Sequence, residues 1–142
     1  MEKIATDIYT FEKLRKNGFT YVDKTDALYA MVSGDVGNQF FIARPRRFGK
    51  SLAVSTLKSL FQCQRELFAG LKIEPKWDWS KRWPVLHLDM GSAQTATVAE
   101  LRNKWRDMLK DECKRNGVQF IDDENPATAF KNVIEALVET SA

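Results

Sequence analysis

One histidine, His87, stands in the whole sequence, so no site that needs two imidazoles can be built from it. Cysteine is almost as scarce. Cys63 and Cys113 match no zinc or redox spacing and read as reduced thiols on helices. No apolar run is long enough to span a bilayer. The N-terminus lacks the apolar core of a signal peptide. A cytoplasmic protein with no membrane partner is the expectation. Charge of one sign is also in short supply: 22 Lys and Arg against 19 Asp and Glu leave a net charge of +3, too little to imply nucleic-acid binding by itself. There is no internal repeat and no low-complexity linker. The 142 residues, 44% hydrophobic and 29% charged, have the composition of one globular domain with a real core rather than of a disordered tail.

The informative charge is local. Ala43-Arg44-Pro45-Arg46-Arg47-Phe48-Gly49-Lys50-Ser51 follows the apolar run Phe40-Phe41-Ile42-Ala43 and opens a segment with helical periodicity. Strand, tight loop with Gly-Lys-Ser, then helix is the context of a phosphate-binding P-loop. That pattern asks for a first Gly, four intervening residues and then Gly-Lys-Ser, and Arg44 occupies the first Gly position. The first Gly mainly shapes the turn, and Pro45 fixes φ and stiffens the altered loop. Each remaining residue has a chemical reason to be there. A helix N-terminus leaves its first N–H groups unpaired and carries partial positive charge, which suits phosphate oxygens. Gly49 lets the backbone approach without a Cβ in the way. Lys50 reaches the terminal phosphates as a compact cation, and Ser51 offers its hydroxyl oxygen to Mg²⁺. Arg46 and Arg47 can contact phosphates or nucleic acid in bidentate fashion. The candidate nucleotide-binding set is therefore Arg46, Arg47, Phe48, Gly49, Lys50, Ser51 and Leu52. Ser51 is the metal ligand, ATP and Mg²⁺ are the cofactors, and no residue is assigned to catalysis. The alternative is a basic surface turn capping an ordinary helix.

Taken in order, the chain alternates helical and β-prone stretches. Thr10 can cap a short helix carrying Phe11 and Leu14 that ends near Asn17-Gly18. Phe19 to Val22 is short and β-prone. Thr25 or Asp26 can cap a helix with Leu28, Met31 and Val32, ended by Gly34. A strand over 39–43 leads into the basic loop. The helix after it, about Lys50 to Gln62, carries Ala53, Val54, Leu57, Leu60 and Phe61 as one stripe. Leu67, Phe68, Leu71 and Ile73 cover more core from a less regular segment. Trp77, Trp79 and Trp83 sit in a proline-bounded loop, either to stack on bases or, the favoured reading, to pin the loop onto the core. Val85-Leu86-His87-Leu88-Asp89 reads as a second strand. Thr97 with Glu100 makes a capping box. Its helix carries Val98, Leu101, Trp105, Met108 and Leu109 and ends near Asn116-Gly117. Asn125-Pro126 starts a last helix carrying Phe130, Val133, Ile134, Leu137 and Val138.

This order predicts an α/β fold: a partial P-loop NTPase fold, with parallel strands at 39–43 and 85–89, flanking helices and a right-handed crossover. Two strands are few for a parallel sheet, so the sheet is expected to be incomplete. An open edge is a template for pairing, which makes a homo-oligomer the corresponding expectation.

The loop resembles that of the AAA-ATPase-like family of bacterial P-loop proteins. Phe11-Glu12-Lys13-Leu14-Arg15, Tyr21-Val22-Asp23-Lys24-Thr25 and Leu67-Phe68-Ala69-Gly70-Leu71-Lys72-Ile73 resemble three further motifs of the family. The resemblance runs from about Phe11 to Met90, and less distinctly to the end. It implies an ATPase whose acidic strand follows the stretch seen here, so residues 1–142 are expected to be the N-terminal part of such a domain. It also implies, in many members, a later nuclease-like domain, outside this chain, through which nucleic acid would be a partner. Asp89, at the end of its apolar run, is the other candidate for a metal carboxylate. His87 beside it and the lack of a following Glu favour a strand-end role. Asp23-Lys24-Thr25 reads equally as a nucleotide-positioning element and as a helix junction. Two other functions stay open: a basic-loop module gripping nucleic acid without hydrolysis, and a small phosphotransferase using Asp89.

Overall fold

The computed structural model describes residues 10–34, 39–43, 45, 48–92 and 95–141. Of these, 56% are helical and 1% are in strand. The helices are α1 (Phe11–Lys16), α2 (Thr25–Ser33), α3 (Lys50–Phe61), α4 (Val98–Asn116) and α5 (Pro126–Ser141), with single 3-10 turns at Arg65–Phe68 and Met90–Ser92. The expected α/β fold is overturned. Among the described residues there is no sheet, so no parallel strand pair and no sheet edge.

The two expected strands fail for different physical reasons. Residues 39–43 form no strand, and Phe41 is 94% exposed. A β-prone apolar run becomes a strand only when a neighbour takes its N–H and C=O groups. Residues 85–89 form no strand either, with Leu86 and Leu88 packed against the second core and His87 and Asp89 exposed. This is the period-2 alternation that the sequence displays. The polar partners, however, are helix side chains. The His87 N–H donates to Glu112 Oε2 at 3.3 Å, and Asn116 Nδ2 donates to the Val85 carbonyl at 3.3 Å. Side chains of α4 occupy the place of a neighbouring strand.

The chain divides into two compact units, Met1–Trp83 and Pro84–Ala142. The first is built on Phe11, Leu60, Leu67, Phe68, Leu71 and Ile73. The Phe11 ring meets Tyr21 edge-on at 5.1 Å and Phe68 at 4.8 Å. Trp77 packs against Phe61 at 5.4 Å and Trp79 against Phe68 at 5.3 Å, so these two indoles pin the 75–83 loop to the core. Trp79 Nε1 also donates to the Glu74 carbonyl at 2.7 Å. Helix α3 buries only part of the stripe that its apolar residues suggest: Leu60 is buried and Leu57 packs on the core, while Val54 is exposed. Its buried residues are Thr56, Ser59 and Leu60. The Phe11 N–H donates to Ser55 Oγ at 2.9 Å, while the Ser55 and Thr56 hydroxyls donate back to the Leu52 carbonyl at 2.9 and 2.8 Å. Small side chains let α1 approach closely, and their hydroxyls are satisfied within the helix. Cys63 lies just past the end of α3 at φ 55°, not on a helix as expected, and its thiol donates to the Lys81 carbonyl at 2.6 Å.

The second unit pairs α4 with α5 around Leu109, Cys113, Ala129, Val133 and Leu137. Its first helix begins as the sequence indicates. Thr97 Oγ1 accepts from the Glu100 N–H at 3.2 Å, and Glu100 Oε2 accepts from the Ala96 N–H at 2.8 Å. Gly117 ends it in the left-handed conformation, φ 71°.

Candidate functional site

Helix α3 starts at Lys50, and Gly49 forms its N-cap at φ 76°, ψ 17°. A side chain added at Gly49 would meet nothing within 4 Å, so the demand for glycine there is conformational rather than steric. The first intrahelical bond runs from the Ala53 N–H to the Gly49 carbonyl at 2.9 Å. The N–H groups of Lys50, Ser51 and Leu52 precede it and have no acceptor within the helix. Phe48, Gly49, Lys50 and Ser51 are all exposed. Of the basic loop, Arg44, Arg46 and Arg47 lie outside the described residues.

Beside this helix start lies a cleft of about 610 Å³. Phe48, Gly49, Lys50 and Leu52 contribute to it from the loop and α3; Tyr21, Val22 and Lys24 form one wall, and Ala27, Leu28 and Met31 of α2 another. Four residues of the expected site set thus share one surface, with Ser51 next to them on the first turn. Sequence reading did not anticipate the α2 wall. No pattern in the sequence sets Ala27, Leu28 and Met31 apart from an ordinary amphipathic stripe.

The Tyr21-to-Thr25 stretch is split by its geometry. Tyr21, Val22 and Lys24 line the cleft, while Asp23 and Thr25 bond elsewhere. One Asp23 carboxylate oxygen accepts from the Thr25 N–H at 2.9 Å and from the Thr25 hydroxyl at 2.6 Å, and the other accepts from the Lys72 N–H at 2.8 Å. Thr25 is fully buried, and its Oγ1 in turn accepts from the Ile73 N–H at 3.2 Å. Burial works against ionisation of Asp23, but these bonds outweigh it and hold the carboxyl below its ordinary value. Arg15 completes the arrangement, donating to the Leu67 and Ala69 carbonyls, both at 2.7 Å. Three motifs far apart in sequence, around Arg15, Asp23 and Leu67 to Ile73, therefore form one anchored junction behind the cleft wall. The helix-junction reading of Asp23-Lys24-Thr25 describes Asp23 and Thr25, whereas Lys24 faces the cleft.

Among the described residues, no group of three or more His, Cys, Asp or Glu is gathered as a metal site. In the second unit, Asp89 Oδ1 accepts from the Gly91 N–H at 2.9 Å, as a residue closing a turn does. That unit also carries a larger hollow of about 980 Å³. Both signs of charge line it, and Arg106 Nε lies 2.9 Å from Asp122 Oδ1. No helix among the described residues is long and apolar enough to cross a membrane.

A family model described as "Predicted AAA-ATPase" matches residues 5–142. The chain is also 37% identical over 127 residues to a protein of Azotobacter chroococcum mcd 1 described as an uncharacterized protein in the vnfD 5' region. That alignment covers 89% of this chain and 24% of the relative, so the chain spans about a quarter of that protein's length. No solved structure matches it.

Proposed function

The chain belongs to the predicted AAA-ATPase family, and on that premise we propose that it supplies the phosphate-binding part of an ATPase acting in the cytoplasm. The observation that carries the reading is the start of α3: a left-handed Gly49, then Lys50 and Ser51, beside the cleft that the Tyr21-to-Thr25 motif walls. In this reading the β- and γ-phosphates lie against the N–H groups at the head of α3, and Lys50 neutralises their charge.

Mg²⁺ asks little of a protein. It keeps several waters and takes phosphate oxygens with one or two protein oxygens. Ser51, exposed in the first turn beside Lys50, offers a hydroxyl of that kind. Ser51 would hold the ion, whose charge would help to neutralise that of the phosphates. Arg46 and Arg47 would add contacts to the same anion. This chain's share is binding and charge neutralisation, and no residue in it is assigned to the hydrolytic step.

Calorimetry with ATP, with and without Mg²⁺, tests the reading. Lys50→Ala should weaken ATP binding by about ten- to a hundredfold, the equivalent of roughly 1.5–3 kcal/mol for one charge-assisted contact. Ser51→Ala should matter chiefly when Mg²⁺ is present. Equal heats for wild type and Lys50→Ala would mean that this loop is not the nucleotide site.

A further inference from the structure

The cleft beside Gly49 differs in character from the loop. Among the described residues that line the cleft there is no Asp or Glu, and the charged ones are Lys24 and Lys50. Most of the other described lining residues are apolar or aromatic, among them Tyr21, Val22, Leu28, Met31 and Phe48. Val22 is 71% exposed and Phe48 is 64% exposed, so the rim holds apolar surface in water. Such surface gains free energy when a ligand covers it. An occupant that matches both parts is flat and apolar at one end and anionic at the other. The volume, about 610 Å³, falls within the ordinary range for small-molecule and cofactor sites.

We propose that this cleft takes the base of the nucleotide whose phosphates lie at Gly49 to Ser51, with Val22, Phe48 and the α2 residues Ala27, Leu28 and Met31 as its walls. The proposal rests on the phosphate-site reading and adds the part of the ligand which that reading leaves unassigned. Asp23 and Thr25 are positioning residues in this scheme. By bonding to the Lys72 and Ile73 N–H groups they fix the backbone on either side of Lys24, and so hold the Val22 and Lys24 wall in place. The wall is therefore set before the ligand arrives, which lowers the ordering cost of binding.

The test compares ATP with inorganic tripolyphosphate, which shares the anion and lacks the base, by calorimetry on the full chain. Wild type should bind ATP at least about tenfold more tightly, since covering a base against apolar and aromatic side chains has that order of effect. Ala27→Trp, on the exposed side of α2, fills the cleft and should abolish the preference while leaving tripolyphosphate binding unchanged. Val22→Ser removes wall from an exposed position that the core does not need, and should reduce the preference without a folding defect. Equal binding of ATP and tripolyphosphate by wild type would overturn the base pocket and leave the phosphate loop standing. A preference for ATP that survives both variants would also overturn it, placing the base elsewhere. Failure of wild type to bind either ligand would overturn both readings together.

Discussion

At the scale of single residues, the most consequential side chain behind the candidate site is Asp23. It accepts three hydrogen bonds and links the cleft wall to the Leu67-to-Ile73 segment. Its carboxyl is held below the ordinary value in the folded chain. A carboxyl depressed in this way contributes stability that is fully present above its unfolded pKa and is lost as pH falls through the folded one. Asp23→Asn keeps the shape but loses the charge, and its amide nitrogen cannot accept from the Lys72 or Thr25 N–H. The variant should be less stable than wild type at neutral pH by about 1 kcal/mol or somewhat more. That gap should close as pH drops below the ordinary Asp range, about 4. Urea unfolding of both proteins across a pH series measures the gap. A gap constant with pH would mean that the Asp23 charge has no part in holding the junction.

At the scale of elements, what sequence could and could not reveal follows from who supplies the hydrogen bonds. Helices supply their own, so their signals are local and were legible. Thr97 with Glu100 opens α4, Gly117 closes it, Pro126 starts α5, and Lys50 begins α3 directly after Gly49. Strands need a partner from elsewhere, and alternation alone does not say who that partner is. Residues 85–89 alternate like a strand because one side packs on Leu109 and its neighbours, yet Glu112 and Asn116 take the polar groups. The helix stripes are only partly buried: Leu60, Leu109, Val133 and Leu137 lie in the cores, but the stripe edges do not. Val98 is 69% exposed and Val138 is 62% exposed, while the buried residues of α4 include Glu112. The loop was legible as a helix start, but the cleft beside it was not, because its walls come from separate elements. The prediction at this scale concerns Glu112. Glu112→Ala leaves the His87 N–H without its acceptor and Arg115 without its ion-pair partner. It should cost about 1–3 kcal/mol, and exchange of the His87 amide should accelerate while amides in the middle of α5 stay protected. Unchanged exchange at His87 would show that packing of Leu86 and Leu88 alone holds the segment.

At the scale of the whole molecule, the division into two units has an energetic meaning. Among the described residues, one core draws on residues between Phe11 and Trp79 and the other on residues between Leu86 and Leu137. Interior packing is felt where atoms touch, and substitutions that share no contact act independently. The candidate site belongs to the first unit, since the described residues lining the cleft lie between Leu14 and Ala53. Damage to one core should therefore be read out separately from damage to the other. Phe68→Ala removes a fully buried ring that meets both Phe11 and Trp79. It should cost the first unit about 3–5 kcal/mol and weaken ATP binding along with it. Val133→Ala should destabilise the second unit by a smaller amount, a few kcal/mol at most, and leave ATP binding as it was. Native-state amide exchange resolves the two effects. In Phe68→Ala, protection should fall around Leu60 and Ile73 and persist around Leu109 and Leu137, with the reverse in Val133→Ala. Loss of protection throughout the chain in either variant would mean that the two cores open as one cooperative body. Nucleotide affinity should then fall in both.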